Sequence, residues 1–282
     1  MKKFLIILAC LAASLPAAAS DLSMEALVEA TMNGGHRSEE NIARNRYRHP
    51  VGTLQFLGLE KGMTVMEIWP GGGWYTEILA PVMRGHGKYI AAGWDLAVPD
   101  QPGYRERLQN GMLQTFADNP ELYGEVGFVE YSPPQSASLG NANSIDLVLT
   151  FRNTHGWIGA GIAADVYAEF ARVLKPGGIL GVVQHRAADG TDPAETRKAG
   201  YVSEEAIIAM AEAAGLVLEA RSEVNANPAD SRDHEKGVWS LPPGLAVCRD
   251  IEDADGKAEC EAEYRAIGES DRMTLKFRKP EA

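Results

Sequence analysis

The chain has 282 residues, of which 45% are hydrophobic, and this is enough for one large domain with a full core. Its formal net charge of −12 argues against a nucleic acid or an anionic membrane as partner, because phosphate binding requires a positive surface. The six histidines and three cysteines have no paired ligand spacing, so we expect no metal site. The sequence leaves the oligomeric state open.

Residues 1–20 have the pattern of a secretory signal peptide. Lys2 and Lys3 precede the apolar run 4–15, and small residues up to Ser20 offer a cleavage site. The run is shorter than the roughly 20 apolar residues that cross a hydrocarbon core. We therefore expect a periplasmic or secreted mature chain, 21–282, without a membrane span. An uncleaved anchor and lipid attachment at Cys10 are the alternatives.

Two cysteines, Cys248 and Cys260, remain after cleavage. In an exported protein, an even pair at this short separation predicts a disulfide more strongly than two free thiols. Closing such a loop contributes about 3 kcal/mol in the chain-entropy model.

The segment 21–60 has helical spacing and is predicted to cap the sheet edge or a ligand cleft. It carries a basic cluster, for which a solvated helix face is favoured over a binding patch. The cluster consists of Arg37, Arg44, Arg46 and Arg48.

The segment 61–282 alternates short apolar runs with helical ones, which is typical of a doubly wound, mostly parallel sheet in a single α/β domain. One helix ends at the turn 175–178, of sequence Lys-Pro-Gly-Gly, which leads into the next strand. Seven strands are predicted, at 64–68, 89–92, 126–130, 145–150, 179–184, 217–220 and 273–277.

The first strand leads into Gly71, Gly72 and Gly73 and then into a helix. Glycines let the backbone approach a ligand closely, and a helix start presents unpaired N–H groups beside the carboxyl end of the strand. Open α/β sheets bind nucleotides at this point. A dinucleotide fingerprint would need a glycine where Thr76 stands, which disfavours hydride transfer.

With this motif the chain resembles the class I S-adenosylmethionine-dependent methyltransferases. It resembles more narrowly a group of exported bacterial proteins predicted to be methyltransferases, whose first motif reads like EIWPGGGWYTEILAP. The resemblance covers about 36–280 and includes the segments 146–155, 173–178 and 273–280. It implies a Rossmann-like, seven-stranded sheet whose last strand is antiparallel and inserts between the fifth and sixth.

The resemblance also implies cofactor-binding roles for particular residues. Glu67 and the three glycines would contact the methionine part, and Tyr75 and Thr76 would line the start of the helix. Asp95 would accept the ribose hydroxyls, although it stands about two residues later than the family's acidic residue. The implied set is Glu67, Gly71, Gly72, Gly73, Tyr75, Thr76, Asp95 and Asn153. Trp69 occupies the family's usual first-glycine position.

Two histidines are candidate catalytic bases, because an unperturbed imidazole titrates near pH 6.5. His155 follows strand four and His185 ends strand five. A structural histidine that hydrogen-bonds a loop carbonyl is the alternative for His155. Trp74, Trp94 and Trp157 either form an aromatic wall for a flat ligand or pack singly in the core.

These observations predict a methyltransferase that uses S-adenosylmethionine and acts on a small-molecule acceptor. Because that cofactor is made in the cytosol and the chain is predicted to be exported, a second hypothesis is a non-catalytic exported ligand-binding protein of the same fold. A different α/β enzyme that uses the histidines without a methyl donor is the third.

Overall fold

The computed structural model describes residues 22–281. The predicted signal peptide, 1–20, lies outside the described residues. Within 22–281, the helices are all too short or too polar to cross a bilayer.

A single seven-stranded sheet forms the centre of the molecule, in the order β3-β2-β1-β4-β5-β7-β6. Strands β1 to β5 run parallel, while β7 is antiparallel to both β5 and β6. The seven predicted strands and the inserted antiparallel last strand are confirmed. Their bounds are Thr64–Ile68 (β1), Lys88–Gly93 (β2), Gly127–Glu130 (β3), Ile145–Phe151 (β4), Leu174–His185 (β5), Val217–Ser222 (β6) and Arg272–Arg278 (β7).

Four short helices precede the sheet, at Met24–Met32 (α1), Glu39–Ala43 (α2), Asn45–Arg48 (α3) and Pro50–Phe56 (α4). Ser23 and Ser38 cap α1 and α2 by accepting backbone hydrogen bonds from Ala26 and Asn41. The apolar residues Val28 and Leu54 are buried in the same core cluster as the helix that follows β1. This packing holds the N-terminal segment against one face of the sheet.

The remaining helices cover both faces of the sheet, as its buried strands require. They are Thr76–Met83 (α5), Gly103–Asp118 (α6), Pro120–Tyr123 (α7), Thr154–Ala160 (α8), Ala163–Val173 (α9), Pro193–Thr196 (α10), Glu204–Ala213 (α11) and Ala254–Ile267 (α12), with 3-10 turns at Arg197–Ala199 and Gly237–Ser240. Helix α5 packs in one core cluster, whereas α8, α9 and α11 pack in the other.

Strand β5 begins earlier than predicted. Leu174 already pairs with Ile145, and Ile179 pairs with Leu147, so the Lys-Pro-Gly-Gly segment is an irregular insertion within the strand. Gly177, at φ +74°, supplies the left-handed backbone that this insertion needs. The predicted turn is therefore a bulge that keeps β4 and β5 paired on both sides.

The predicted disulfide is present. Cys260 in α12 is bonded to Cys248, with 5.7 Å between the Cα atoms. The bond fastens α12 to the loop that precedes it, within the long connection between β6 and β7.

Candidate functional site

A cavity of about 720 Å³ lies at the carboxyl edge of the sheet, where β1 and β4 are neighbours. The connection after β1 leads to one face of the sheet and the connection after β4 leads to the other. Ligands of open α/β sheets bind at such switch points. The volume lies within the range of small-molecule sites, roughly 300–1,000 Å³.

The glycine turn forms one wall of the cavity through Gly71 and Gly72. A Cβ built on Gly71 would meet no atom within 4 Å, and its φ of +62° favours glycine. Within 22–281, neither backbone N–H of this pair donates a hydrogen bond. Gly73 does not line the cavity, because it packs against Met112 of α6. The turn therefore offers two free donors and open space to a ligand.

Glu67, at the end of β1, lines the cavity although it is buried. The hydroxyls of Thr76 and Tyr89 both donate to its Oε2, at 2.8 and 2.6 Å. Burial raises the pKa of Glu67 to about 7 despite these two hydrogen bonds. Thr76 is absent from the cavity lining, so the structure uses it to orient Glu67.

Asn153 and Tyr75 lie on either side of the glycine turn and both line the cavity. The amide of Asn153 donates to the carbonyl of Ile68 at 2.8 Å and so ties the end of β4 to the end of β1. The ring of Tyr75 stacks on Phe151, with 3.7 Å between centroids, and its hydroxyl donates to the carbonyl of Arg48. Both side chains hold the walls of the cavity in place.

Asp95 lies outside the cavity lining. Its carboxylate accepts hydrogen bonds from the backbone N–H of Ala97 and from the hydroxyl of Ser136. At the end of β2, the cavity is lined instead by Trp94, whose buried Nε1 has no partner among the described residues. The carboxylate that the resemblance implies for the ribose therefore does not line the cavity.

His155 and His185 both line the cavity, with 5.9 Å between ring centroids. Gln184 donates from Nε2 to His155 Nδ1 at 3.3 Å, so a neutral His155 carries its proton on Nε2. Burial lowers the pKa of His155 to about 4. His185 Nδ1 pairs with the Ser270 hydroxyl, and burial, with His155 and nearby arginines, holds the pKa of His185 well below its usual range. Both imidazoles are neutral at pH 7.

The aromatic wall differs from the predicted one. Trp157 is fully buried in the core, where it packs edge-on against Trp69 at 5.6 Å between centroids. Trp69 and Trp94 line the cavity, and the Arg105 guanidinium lies over both rings, at 5.0 and 5.5 Å. Trp74 also lines the cavity, from the side of the N-terminal helices. Core packing thus describes Trp157, whereas the ligand-wall hypothesis fits Trp74 and Trp94.

The basic cluster of the N-terminal segment is not a solvated face, contrary to the prediction. Arg37 and Arg48 are only 4% and 1% exposed, and only Arg46 lies in solvent. Arg48 and Arg44 both pair with Glu269, at 3.0 and 2.6 Å. This carboxylate lies more than 200 residues away in the sequence, so local spacing gave no signal for it.

Seven of the ten predicted site residues line one cavity: Glu67, Gly71, Gly72, Tyr75, Asn153, His155 and His185. Gly73, Thr76 and Asp95 do not. Within 22–281, no cluster of side chains has the composition of a metal site.

Solved structures share the architecture on which this cavity is built. A SAM-dependent methyltransferase from Aquifex aeolicus aligns at 20% identity and a TM-score of 0.51, over 66% of this chain and 89% of that one. An arsenic(III) methyltransferase from Chlamydomonas reinhardtii aligns at 14% identity and 0.50, over 91% and 74%. The cyclase SpnF aligns at 19% identity and 0.57, over 89% and 85%. This chain has the Rossmann-like methyltransferase fold.

The methyltransferase fold alone does not decide the reaction, since the similar structures include a cyclase. No family model matches the sequence, and comparison with curated proteins finds no match. Trp69 has φ +46° at the position where the resemblance expects a glycine. The backbone thus keeps a conformation that glycine adopts readily, while the indole fills the space beside it.

Proposed function

We propose that the protein binds S-adenosylmethionine on the glycine turn and transfers its methyl group to a small-molecule acceptor. The observation that carries the proposal is the turn itself. Gly71 and Gly72 present two free N–H donors and open space to a cavity at the switch point of a methyltransferase fold. We also propose that the chain acts after export, with which the Cys248–Cys260 bond is compatible.

The residues present fit the cofactor at its methionine end. Gly71 and Gly72 leave room for it, and Glu67 offers Oε1, which accepts no hydrogen bond from the described residues. At the nucleoside end, Trp69 and Trp94 line the cavity, where stacking on the nucleoside would require the Arg105 guanidinium to leave their rings. The ribose hydroxyls would be bound by groups other than Asp95, since that residue does not line the cavity.

When bound, the cofactor supplies an electrophilic methyl group on a sulfonium that leaves as a neutral thioether. The chain contributes alignment, which accounts for much of the acceleration in such a displacement. We assign His185 as the candidate base in the tautomer whose Nδ1–H donates to Ser270, because that tautomer leaves the Nε2 lone pair free for the proton that the acceptor loses. His155 presents Nε2–H and serves as a hydrogen-bond donor to the acceptor.

The test is calorimetric titration of the mature protein, from residue 21, with S-adenosylmethionine and with its demethylated product. We expect micromolar binding of both. Gly71→Val should abolish binding, because its side chain fills the cradle. Gly190→Val is the matched control, since Gly190 has φ +70°, open space around a Cβ and a position outside the cavity. Both variants should lose a similar stability, about 1–2 kcal/mol. Equal affinity of the two variants for the adenosyl compounds would refute the proposal that the glycine turn binds the cofactor.

The second candidate function is a non-catalytic ligand-binding protein. The absence of Asp95 from the cavity lining, together with the packing of Arg105 over Trp69 and Trp94, favours it. Absence of binding to both adenosyl compounds in the same titration would support this alternative and exclude the enzyme.

A further inference from the structure

The cavity is rich in positive charge although the protein is acidic. Four arginines line it, namely Arg44, Arg48, Arg105 and Arg152, against one carboxylate, Glu67. Burial keeps the pKa of Glu67 near 7, so even this charge is incomplete at neutral pH. A cationic cavity within a chain of net charge −12 attracts anions selectively, because low-dielectric walls focus the field of the arginines.

Arg48 has two buried nitrogens whose hydrogen-bonding capacity is unused within the described part of the chain. It is 1% exposed, its Nε donates to Glu269, and its guanidinium lies 4.7 Å from the centroid of Trp74. Both terminal nitrogens, Nη1 and Nη2, are buried and have no partner among residues 22–281. Leaving donors of a buried cation unpaired is costly, and the side chain lines the cavity. A hydrogen-bond acceptor on a ligand that enters the cavity would pair with these two nitrogens of Arg48.

Glu269 cannot neutralise the arginines around it. It receives ion pairs from Arg44, Arg48 and Arg272, which together hold its pKa down at about 2 although burial opposes this. Arg152 adds a fourth cation in the electrostatic range of Glu269, and its side chain hydrogen-bonds to none of the described residues. One carboxylate thus faces four guanidinium groups.

Arg48 and Arg152 line the same cavity as the candidate base, His185. The charges of both arginines also act on His185. An anion bound by these arginines would therefore share the cavity with the imidazole. S-adenosylmethionine as a whole would add positive charge to the cavity, because its ammonium and sulfonium outweigh its single carboxylate.

We propose that the methyl acceptor carries an oxyanion, a carboxylate or a phosphate, which Arg48 and Arg152 bind beside His185. This inference rests on the proposed methyltransferase function. The two Nη groups of Arg48 form a planar pair of donors that matches two oxygens of either group. The anion completes the hydrogen bonds of Arg48 and fixes the acceptor within the cavity.

The first test is calorimetric titration of the mature protein with inorganic phosphate and with succinate at low ionic strength. At least one probe should bind, and the tighter one identifies the group. Arg48→Met and Arg152→Met should each weaken binding at least tenfold. Arg152 makes no ion pair or side-chain hydrogen bond with the described residues, so its variant keeps the test valid if Arg48→Met fails to fold.

Arg37→Met is the matched control. Arg37 is also buried and lies 4.7 Å from the centroid of Trp74, but its terminal nitrogens donate to the carbonyls of Met32 and Trp74 and it does not line the cavity. Its replacement should change probe affinity less than threefold. An equal loss in Arg37→Met and in the two cavity variants, or no probe binding to the wild type, would overturn the proposal.

A competition experiment separates the acceptor's anion from the cofactor's own carboxylate. The tighter probe is titrated into protein saturated with S-adenosylhomocysteine, or with methylthioadenosine, which lacks the amino-acid part. Binding in both cases supports an acceptor site. Displacement by S-adenosylhomocysteine alone would assign the arginines to the cofactor and overturn the proposal. If the probe binds but neither adenosyl compound does, the proposed methyltransferase function is refuted. If the adenosyl compounds bind but neither probe does, only the proposal of an oxyanion on the acceptor is refuted.

Discussion

The buried carboxyl of Glu67 predicts an unusual dependence of stability on pH. The folded protein holds the pKa of this group at about 7, against 4.5 for an exposed glutamate. Between these values the folded state binds a proton that the unfolded state has lost. Stability must therefore fall as pH rises from 4.5 to 7, by about 3 kcal/mol for a shift of this size.

Glu67→Gln removes the titration but keeps an oxygen that can accept hydrogen bonds from Thr76 and Tyr89. From pH 5 to pH 8 the wild type should lose about 2–3 kcal/mol relative to this variant. The difference isolates Glu67, because all other titrating groups are common to both proteins. Glu121→Gln is the control, since its side chain is 99% exposed.

The measurement is urea-induced unfolding at the two pH values, followed by tryptophan fluorescence. A stability difference between wild type and Glu67→Gln that is the same at pH 5 and pH 8 would refute the reasoning. It would mean that water reaches the carboxyl of Glu67. The wall of the cavity beside the glycine turn would then be open to solvent.

Three further predictions follow from buried groups. His155 has a pKa of about 4 in the folded state, so the wild type should lose about 3 kcal/mol relative to His155→Gln as pH falls from 6.5 to 4, measured by unfolding at both limits. Glu269→Gln should lower the free energy of unfolding by about 3–5 kcal/mol, because it leaves buried arginines unpaired. Glu219→Gln, at a partly exposed ion pair, should lower it by less than about 1 kcal/mol in the same assay. Equal losses in the two variants would contradict this. Mass spectrometry without reductant should find Cys248 linked to Cys260, and replacing both by serine should cost about 3 kcal/mol; two free thiols would contradict the pairing.

The fold was predictable because its signals are local. Each strand is a short apolar run between polar turns, and the glycine turn combines strand, bend and helix within 64–76. The cysteine pair was predictable for a similar reason, since few partners were available. The resemblance supplied the insertion of β7, which no local pattern contains.

The chemistry inside the cavity was less predictable, because it depends on contacts between distant segments. Glu269 accepts a hydrogen bond from Arg48, which is 221 positions away in the sequence. The sequence therefore gave no sign that Arg48 is buried, and a solvated helix face was predicted instead. Asp95 has the expected residue type, but its carboxylate hydrogen-bonds to Ser136 and to the backbone of Ala97, and it does not line the cavity. Spacing identifies which residues come near a site, whereas the direction of a side chain follows from packing.

The most direct test of the central claim is a crystal structure of the mature protein with S-adenosylhomocysteine. We expect the amino-acid part of the ligand against Gly71 and Gly72, within hydrogen-bonding distance of their N–H groups, and the nucleoside on the side of the cavity that Trp69 and Trp94 line. A ligand bound elsewhere, with the glycine turn empty at saturating concentration, would contradict the account.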